Sequence, residues 1–180
     1  MFKHQIDEKL TIRVLTKNDV DDYFELIKSA KSYLRNWLTV SDKAETKSDT
    51  ARNIAYQMNV NEEVPTLFMM EYEGKLVGSI SFHTMDKVNQ SGEIGYWLAE
   101  PFQGQGLMIK SLRFLIDYGF HTLKLHRIEM KIASNNEKSQ SLPEKLGFRK
   151  EGILKEAKFI NGRFVDYVVY GLLLEEYEKK

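Results

Sequence analysis

The 180-residue chain predicts an α+β fold: one domain over 1–180, with a mixed central sheet flanked by helices. Three observations predict it. Apolar residues alternate in some runs and recur at helical spacing in others, in the order β-α-α-β-β-β-α-β-α-β-β. A strand, helix, strand passage over 93–132 implies a parallel pair. Asn161-Gly162, between two long strand-like runs, marks an antiparallel hairpin.

Leu10 to Leu15 alternates as the first strand. Thr16-x-x-Asp19 is a helix start signal, and Val20, Tyr23, Phe24 and Ile27 share one face of the helix behind it. Ala51, Ile54, Ala55 and Met58 define a second helix. Thr66 to Tyr72 and Leu76 to His83 are strand-like runs joined through Glu73-Gly74-Lys75, as in a hairpin. Glu93 to Leu98 is the fourth strand. A helix from Ile109 to Phe120 aligns Leu112, Leu115, Ile116 and Gly119, and Arg127 to Ile132 returns as the fifth strand. A short helix from Ser139 to Leu146 ends at Gly147, before Gly152 to Ile160 and Arg163 to Leu174. There is no internal repeat, low-complexity tract or Pro/Gly/Ser-rich linker.

Composition narrows the function. Lys plus Arg and Asp plus Glu balance at 26 each, so no global field recruits nucleic acid or an anionic membrane. The chain has no cysteine, which removes disulfides, thiolate metal sites and a cysteine-based covalent intermediate together. His4, His83, His121 and His126 never recur at metal-binding spacing; each reads as a surface or boundary imidazole, and no metal is expected. No apolar signal segment or membrane-length run is present, so the expected location is cytoplasmic.

Between the fourth strand and the following helix lies Phe102-Gln103-Gly104-Gln105-Gly106-Leu107-Met108. Glycines at 104 and 106 allow a tight turn with N–H groups facing outward, and the helix N-terminus adds unpaired N–H groups and a positive dipole end. This is a pyrophosphate cradle without a lysine. The spacing is neither that of a P-loop nor that of a dinucleotide fold, whose third glycine is replaced here by Ile109. A long ligand with a phosphate head could run down beside the parallel strands.

The element order, the Gly104-Gln105-Gly106 loop, Asn136-Glu137-Lys138-Ser139 and Lys145-Leu146-Gly147-Phe148 resemble the GNAT superfamily of acetyl-CoA-dependent N-acetyltransferases. Three further segments are similar to its branch that acetylates the N-terminal amines of ribosomal proteins: Glu93-Ile94-Gly95-Tyr96-Trp97-Leu98, Tyr33-Leu34-Arg35-Asn36-Trp37-Leu38 and Asn161-Gly162-Arg163-Phe164-Val165-Asp166. The branch also includes acetylators of other amines. Two positions depart from the superfamily pattern. Pro101 replaces the Gln or Arg that opens the phosphate loop and has no N–H to offer, so phosphate contacts should begin at Gln103. Pro143 stands where many members carry a tyrosine that protonates the departing thiolate.

The resemblance implies that the fourth and fifth strands splay and that acetyl-CoA binds through Gln103, Gly104, Gln105, Gly106, Leu107 and Met108. It also places backbone N–H groups near Trp97 and Leu98 on the pantetheine and the thioester carbonyl, and Asn136 on the pantetheine. Tyr96, Trp97 and Leu98 equally read as a buried strand. Glu93 is the candidate base for the amine proton, or a surface acid if its face of the strand points elsewhere. Asn136 and Ser139 also both read as helix caps; otherwise Ser139 is a partner for the CoA sulfur in place of the missing tyrosine. Arg35 and Trp37 are candidates for the acceptor site, with Trp37 also a core anchor. Asp166 either binds a substrate ammonium or, as the favoured reading, holds the hairpin.

The function implied is direct transfer of acetyl from acetyl-CoA to a primary amine, foremost the N-terminal amine of a ribosomal or other protein. The alternatives are a small amine, such as a polyamine or antibiotic, and a non-catalytic acyl-CoA-binding protein. Asp42, Glu45 and Asp49 keep the polyamine reading open. A homodimer also stays open.

Overall fold

The computed structural model describes residues 2–37, 45–60 and 64–179. Leu38 and Asp42, named above, lie outside the described residues. Eight strands form one mixed sheet in the order β1-β2-β3-β4-β5-β6-β8-β7. These are β1 Lys3–Gln5, β2 Leu10–Arg13, β3 Leu67–Tyr72, β4 Lys75–Asp86, β5 Ser91–Leu98, β6 Arg127–Ala133, β7 Arg149–Ile160 and β8 Arg163–Leu173. The helices are α1 Val20–Leu34, α2 Lys47–Val60, α3 Leu107–His121, α4 Glu137–Lys145 and α5 Leu174–Glu178. Among the described residues no helix is long and apolar enough to cross a membrane.

The chain divides into two compact units, one of residues up to Ser81 with Tyr96–Ser111, the other of Phe82–Gly95 with the residues from Leu112 on. In the first, β1 to β4 pair antiparallel in chain order, with Lys3 opposite Arg13, Leu10 opposite Tyr72 and Leu67 opposite Ser81. Glu73 and Gly74 turn the β3–β4 hairpin at φ 49° and 79°, values that suit a tight two-residue hairpin. Leu26, Ile27 and Leu34 of α1, Ile54 of α2, Met69 and Trp97 pack into one apolar core. The start signal forms as expected: Asp19 accepts from the Thr16 N–H at 2.6 Å and its hydroxyl at 2.8 Å. Asp19 also takes a two-pronged contact from Arg13, whose Nε reaches Glu71 at 2.6 Å.

In the second unit β5 and β6 run parallel, with Ser91, Gly92 and Glu93 opposite Arg127, Ile128 and Glu129. The expected parallel pair is present. β8 pairs antiparallel with both β6 and β7, and so lies between them. Asn161 and Gly162 turn the β7–β8 hairpin at φ 48° and 78°. The ring of Phe82 fills the space that side chains at Gly92 and Gly119 would occupy; a Cβ on Gly119 would lie 2.6 Å from it. Gly119 keeps its place on the apolar face of α3 for that reason.

Most expected elements appear with ends moved by a few residues. Two were not read from the sequence, β1 and α5, each too short for a periodic pattern to show. β7 starts at Arg149, earlier than expected, because Arg149-Lys150-Glu151 carries no apolar alternation. β7 is exposed nearly throughout and its register with β8 shifts twice, as suits a bulged, charged edge strand.

Candidate active site

The glycine loop lies within the first unit. β5 ends at Leu98, a single 3-10 turn spans Glu100–Phe102, and α3 begins at Leu107. Gly104 and Gly106 have φ of 76° and 74°, in the left-handed region that strains any residue with a Cβ. No protein atom lies within 4 Å of where their Cβ atoms would be, so the space above both is open. The bond closing the start of α3 runs from Lys110 N–H to Gly106 C=O at 3.3 Å. The N–H groups before it therefore have no acceptor within the helix, and they sit at its positive end. Leu107 and Met108 are buried, so only their backbone could serve an anion. The Gln103 amide donates to Leu98 C=O at 3.2 Å, tying the loop to the strand end, and Gln105 reaches Pro101 C=O at 3.4 Å.

Trp97 is both core and strand end: its side chain joins the α1/α2 core. Its carbonyl oxygen lies 2.3 Å from where a Cβ on Gly78 would be. The Trp97 carbonyl thus faces β4. Backbone groups alternate sides along a strand, so Leu98 N–H points to the opposite edge, where a ligand carbonyl could accept it.

Glu93, on β5, is not an isolated surface acid. In the second unit its Oε2 accepts from Lys131 Nζ at 2.7 Å and its Oε1 lies 3.2 Å from His83 Nε2. Burial opposes its ionisation, but the hydrogen bonds from His83 and Lys131, with the Lys131 charge, outweigh that and hold its carboxyl below the usual carboxylate range. Lys131 also approaches Glu129, 3.8 Å away. Glu129 in turn accepts from Arg127 at 2.7 Å, and Arg127 reaches Glu151. Tyr167 on β8 feels the same centre: burial first, then the Glu93 charge, pushes its hydroxyl pKa up. The partnership of His83 with Glu93 was missed in the sequence because the two lie on different strands.

Asn136, not Ser139, caps α4. Its Oδ1 accepts the Ser139 N–H at 3.2 Å, and Ser139 sits in the first turn. The expectation that Ser139 caps fails because the helix starts earlier, at Glu137. The cap uses only Oδ1, so the Nδ2 hydrogens of Asn136 can still serve a ligand. Pro143 is buried near the end of α4, and Gly147 at φ 86° closes the helix with a 2.9 Å bond from Phe148 N–H to Pro143 C=O.

Arg35 and Trp37 follow α1 in a turn, Arg35 exposed and Trp37 half-buried. Asp166 holds the hairpin, as favoured: it pairs with Lys155 at 2.8 Å and accepts from Glu156 N–H at 2.9 Å. Asp49 accepts from the Thr46 N–H and hydroxyl before α2 and pairs with Arg52. Among the described residues no cluster of three or more His, Asp or Glu could hold a metal ion. The first unit thus offers a helix start whose first N–H groups lack an acceptor within the helix, and an outward strand N–H; the second offers a carboxylate flanked by an imidazole and an ammonium.

Comparison with known proteins gives the family. Residues 9–149 match the acetyltransferase (GNAT) domain family. YdaF of Bacillus subtilis (strain 168), provisionally named a ribosomal N-acetyltransferase, is 36% identical over 182 residues, covering 99% of this chain and 98% of its own. The ribosomal-protein-serine acetyltransferase of Escherichia coli (strain K12) is 29% identical over 172 residues, 95% and 96% of the two chains. A spermidine N(1)-acetyltransferase of Vibrio cholerae (serotype O1, strain ATCC 39315 / El Tor Inaba N16961) is 26% identical over 173 residues, 96% and 97% of the two chains. The solved structure of RimL, a ribosomal L7/L12 α-N-protein acetyltransferase in complex with coenzyme A, superposes with a TM-score of 0.91. The match covers 97% of this chain and 99% of that one, and at 23% identity the likeness is one of fold.

Proposed function

Since the chain belongs to the GNAT family of acetyl-CoA-dependent N-acetyltransferases, we propose that it moves acetyl from acetyl-CoA to the N-terminal amine of a ribosomal or other protein. The observation that carries the donor side is the loop of Gly104 and Gly106, turned through positive φ directly onto the start of α3. In this reading the whole chain, 1–180, works as one acetyltransferase domain in the cytoplasm.

The pyrophosphate of CoA lies over the N–H groups from Gln103 to Met108, and Asn136 contacts the pantetheine through Nδ2. Leu98 N–H, beside Trp97, polarises the thioester carbonyl, which makes the acetyl carbon open to attack. The thioester is already activated and the chain has no cysteine, so the amine attacks directly within a ternary complex. The centre around Glu93 handles the amine proton, and Ser139 faces the departing sulfur. Arg35 and Trp37 line the path of the acceptor.

A protein acceptor is favoured by two whole-length relatives named for ribosomal acetylation. A second reading, a polyamine acceptor, draws on the spermidine relative. Polyamine recognition would need uncommitted carboxylates near the Arg35 segment, and Asp49 is already engaged by Thr46 and Arg52. Thiol release from acetyl-CoA over a panel of peptides and small amines tests both. A peptide with a small free N-terminal residue should outpace spermidine; the reverse order would transfer the assignment to small amines, and no release with any amine would leave a non-catalytic acyl-CoA binder.

A further inference from the structure

The three groups around Glu93 are not equivalent. The Glu93 side chain is 16% exposed and that of His83 is 48% exposed, so an amine arriving from solvent meets the imidazole before the carboxylate. Both Glu93 oxygens are occupied, Oε1 by His83 Nε2 at 3.2 Å and Oε2 by Lys131 Nζ at 2.7 Å. A neutral imidazole that donates to a carboxylate through Nε2 carries its proton there, which leaves the Nδ1 lone pair as an acceptor.

We propose that His83 accepts the proton of the attacking amine at Nδ1 and that Glu93 is the positioning residue that fixes its tautomer and orientation. The proposal rests on acetyl transfer being the reaction. In that step the amine lone pair forms the C–N bond at the acetyl carbonyl carbon, the C–S bond breaks, and the CoA thiolate leaves with the bonding pair. The proton lost by nitrogen passes to Nδ1 and then to solvent, while the thiolate takes a proton from water. A carboxyl held below its usual range is a weak base near neutrality but a lasting negative charge beside the imidazolium. Lys131 keeps Glu93 in that ionised state, and is itself shared with Glu129. The charged and titratable groups facing the pair are thus Lys131 and Glu129 on β6 and Tyr167 on β8.

The test follows thiol release against pH for His83→Ala and Glu93→Gln, with acetyl-CoA calorimetry on every variant and 15N NMR of the resting protein. His83→Ala should lower kcat about 100-fold or more, the usual size of a general-base contribution, erase the acidic limb of the rate profile, and leave acetyl-CoA affinity unchanged. Added imidazole should restore part of the lost rate. Glu93→Gln should lower kcat less and keep an acidic limb, and NMR should show the Nε2–H tautomer of His83 in the unmutated chain. A normal rate profile for His83→Ala, or an Nδ1–H tautomer, would overturn the proposal. Loss of the acidic limb in Glu93→Gln with its retention in His83→Ala would return the proton to Glu93. If the unmutated chain binds no acetyl-CoA, acetyl transfer itself falls, a result the calorimetry separates from a failed role for His83.

Discussion

Gly78 on β4 and Trp97 on β5 approach so closely that a Cβ on Gly78 would stand 2.3 Å from the Trp97 carbonyl oxygen and 3.0 Å from the Leu98 Cα. Both obstacles are backbone, so neither can rotate aside. The contact sets which way the end of β5 presents its N–H groups. Gly78→Ala should therefore destabilise the fold by about 1–3 kcal/mol, the range for overpacking, and should weaken turnover of the folded fraction as Leu98 shifts. Gly152→Ala, with no atom within 4 Å of its added Cβ, serves as the control and should unfold normally. Chemical denaturation of the two variants checks this.

The cradle makes a separate prediction. Gly104→Val places a side chain in the open space above the loop and should sharply weaken acetyl-CoA binding. Strain alone is not the cause, because Gly74 has nearly the same φ in the β3–β4 turn. Gly74→Val should cost similar stability, about 1–3 kcal/mol for a residue forced into that region, yet leave acetyl-CoA affinity intact. Calorimetry on both variants decides it; equal affinity for the two would remove the loop from the CoA site.

Asp19 supplies a pH dependence of stability. Burial opposes its charge, but Arg13 and Thr16 together hold its carboxyl below the usual carboxylate value of 3.8. A carboxyl depressed in the folded state stabilises above its unfolded value and loses that contribution as pH falls below it. Asp19→Asn should cost about 3 kcal/mol at neutral pH, as for a broken buried pair, and should flatten the acid-side fall in stability. Urea unfolding at stepped pH measures both; an unchanged acid slope would mean that Asp19 does not contribute to it.

Trp37 tests the acceptor. If a peptide N-terminus is gripped beside Arg35, Trp37→Ala should raise peptide KM about tenfold, equivalent to about 1.4 kcal/mol, while acetyl-CoA KM moves little. Steady-state kinetics with each substrate varied in turn would show it. Indifference of peptide KM would place the acceptor elsewhere.

Local chemistry was legible in the chain itself. The glycines at 74, 104, 147 and 162 all adopt the positive φ that their turn or cap positions implied. Thr16 and Asp19 formed their helix start, and the helical and alternating patterns located the main elements, because backbone preference and apolar spacing act over a few residues. Chain resemblance then carried the family and the expected CoA loop.

What the tertiary structure decided is whatever joins residues distant along the chain. Only folding placed β8 between β6 and β7, since a hairpin signal says which strands pair but not which of them meets a third. Only folding set Phe82 against Gly92 and Gly119, where the absence of a side chain matters because of a ring from another strand. The same holds for Glu93. Its sequence neighbours show an acid on an alternating strand, whereas its charge state depends on His83 and Lys131, brought to it from β4 and β6 by strand pairing. Coulomb and hydrogen-bond energies fall off with distance in space, and sequence separation does not measure that distance.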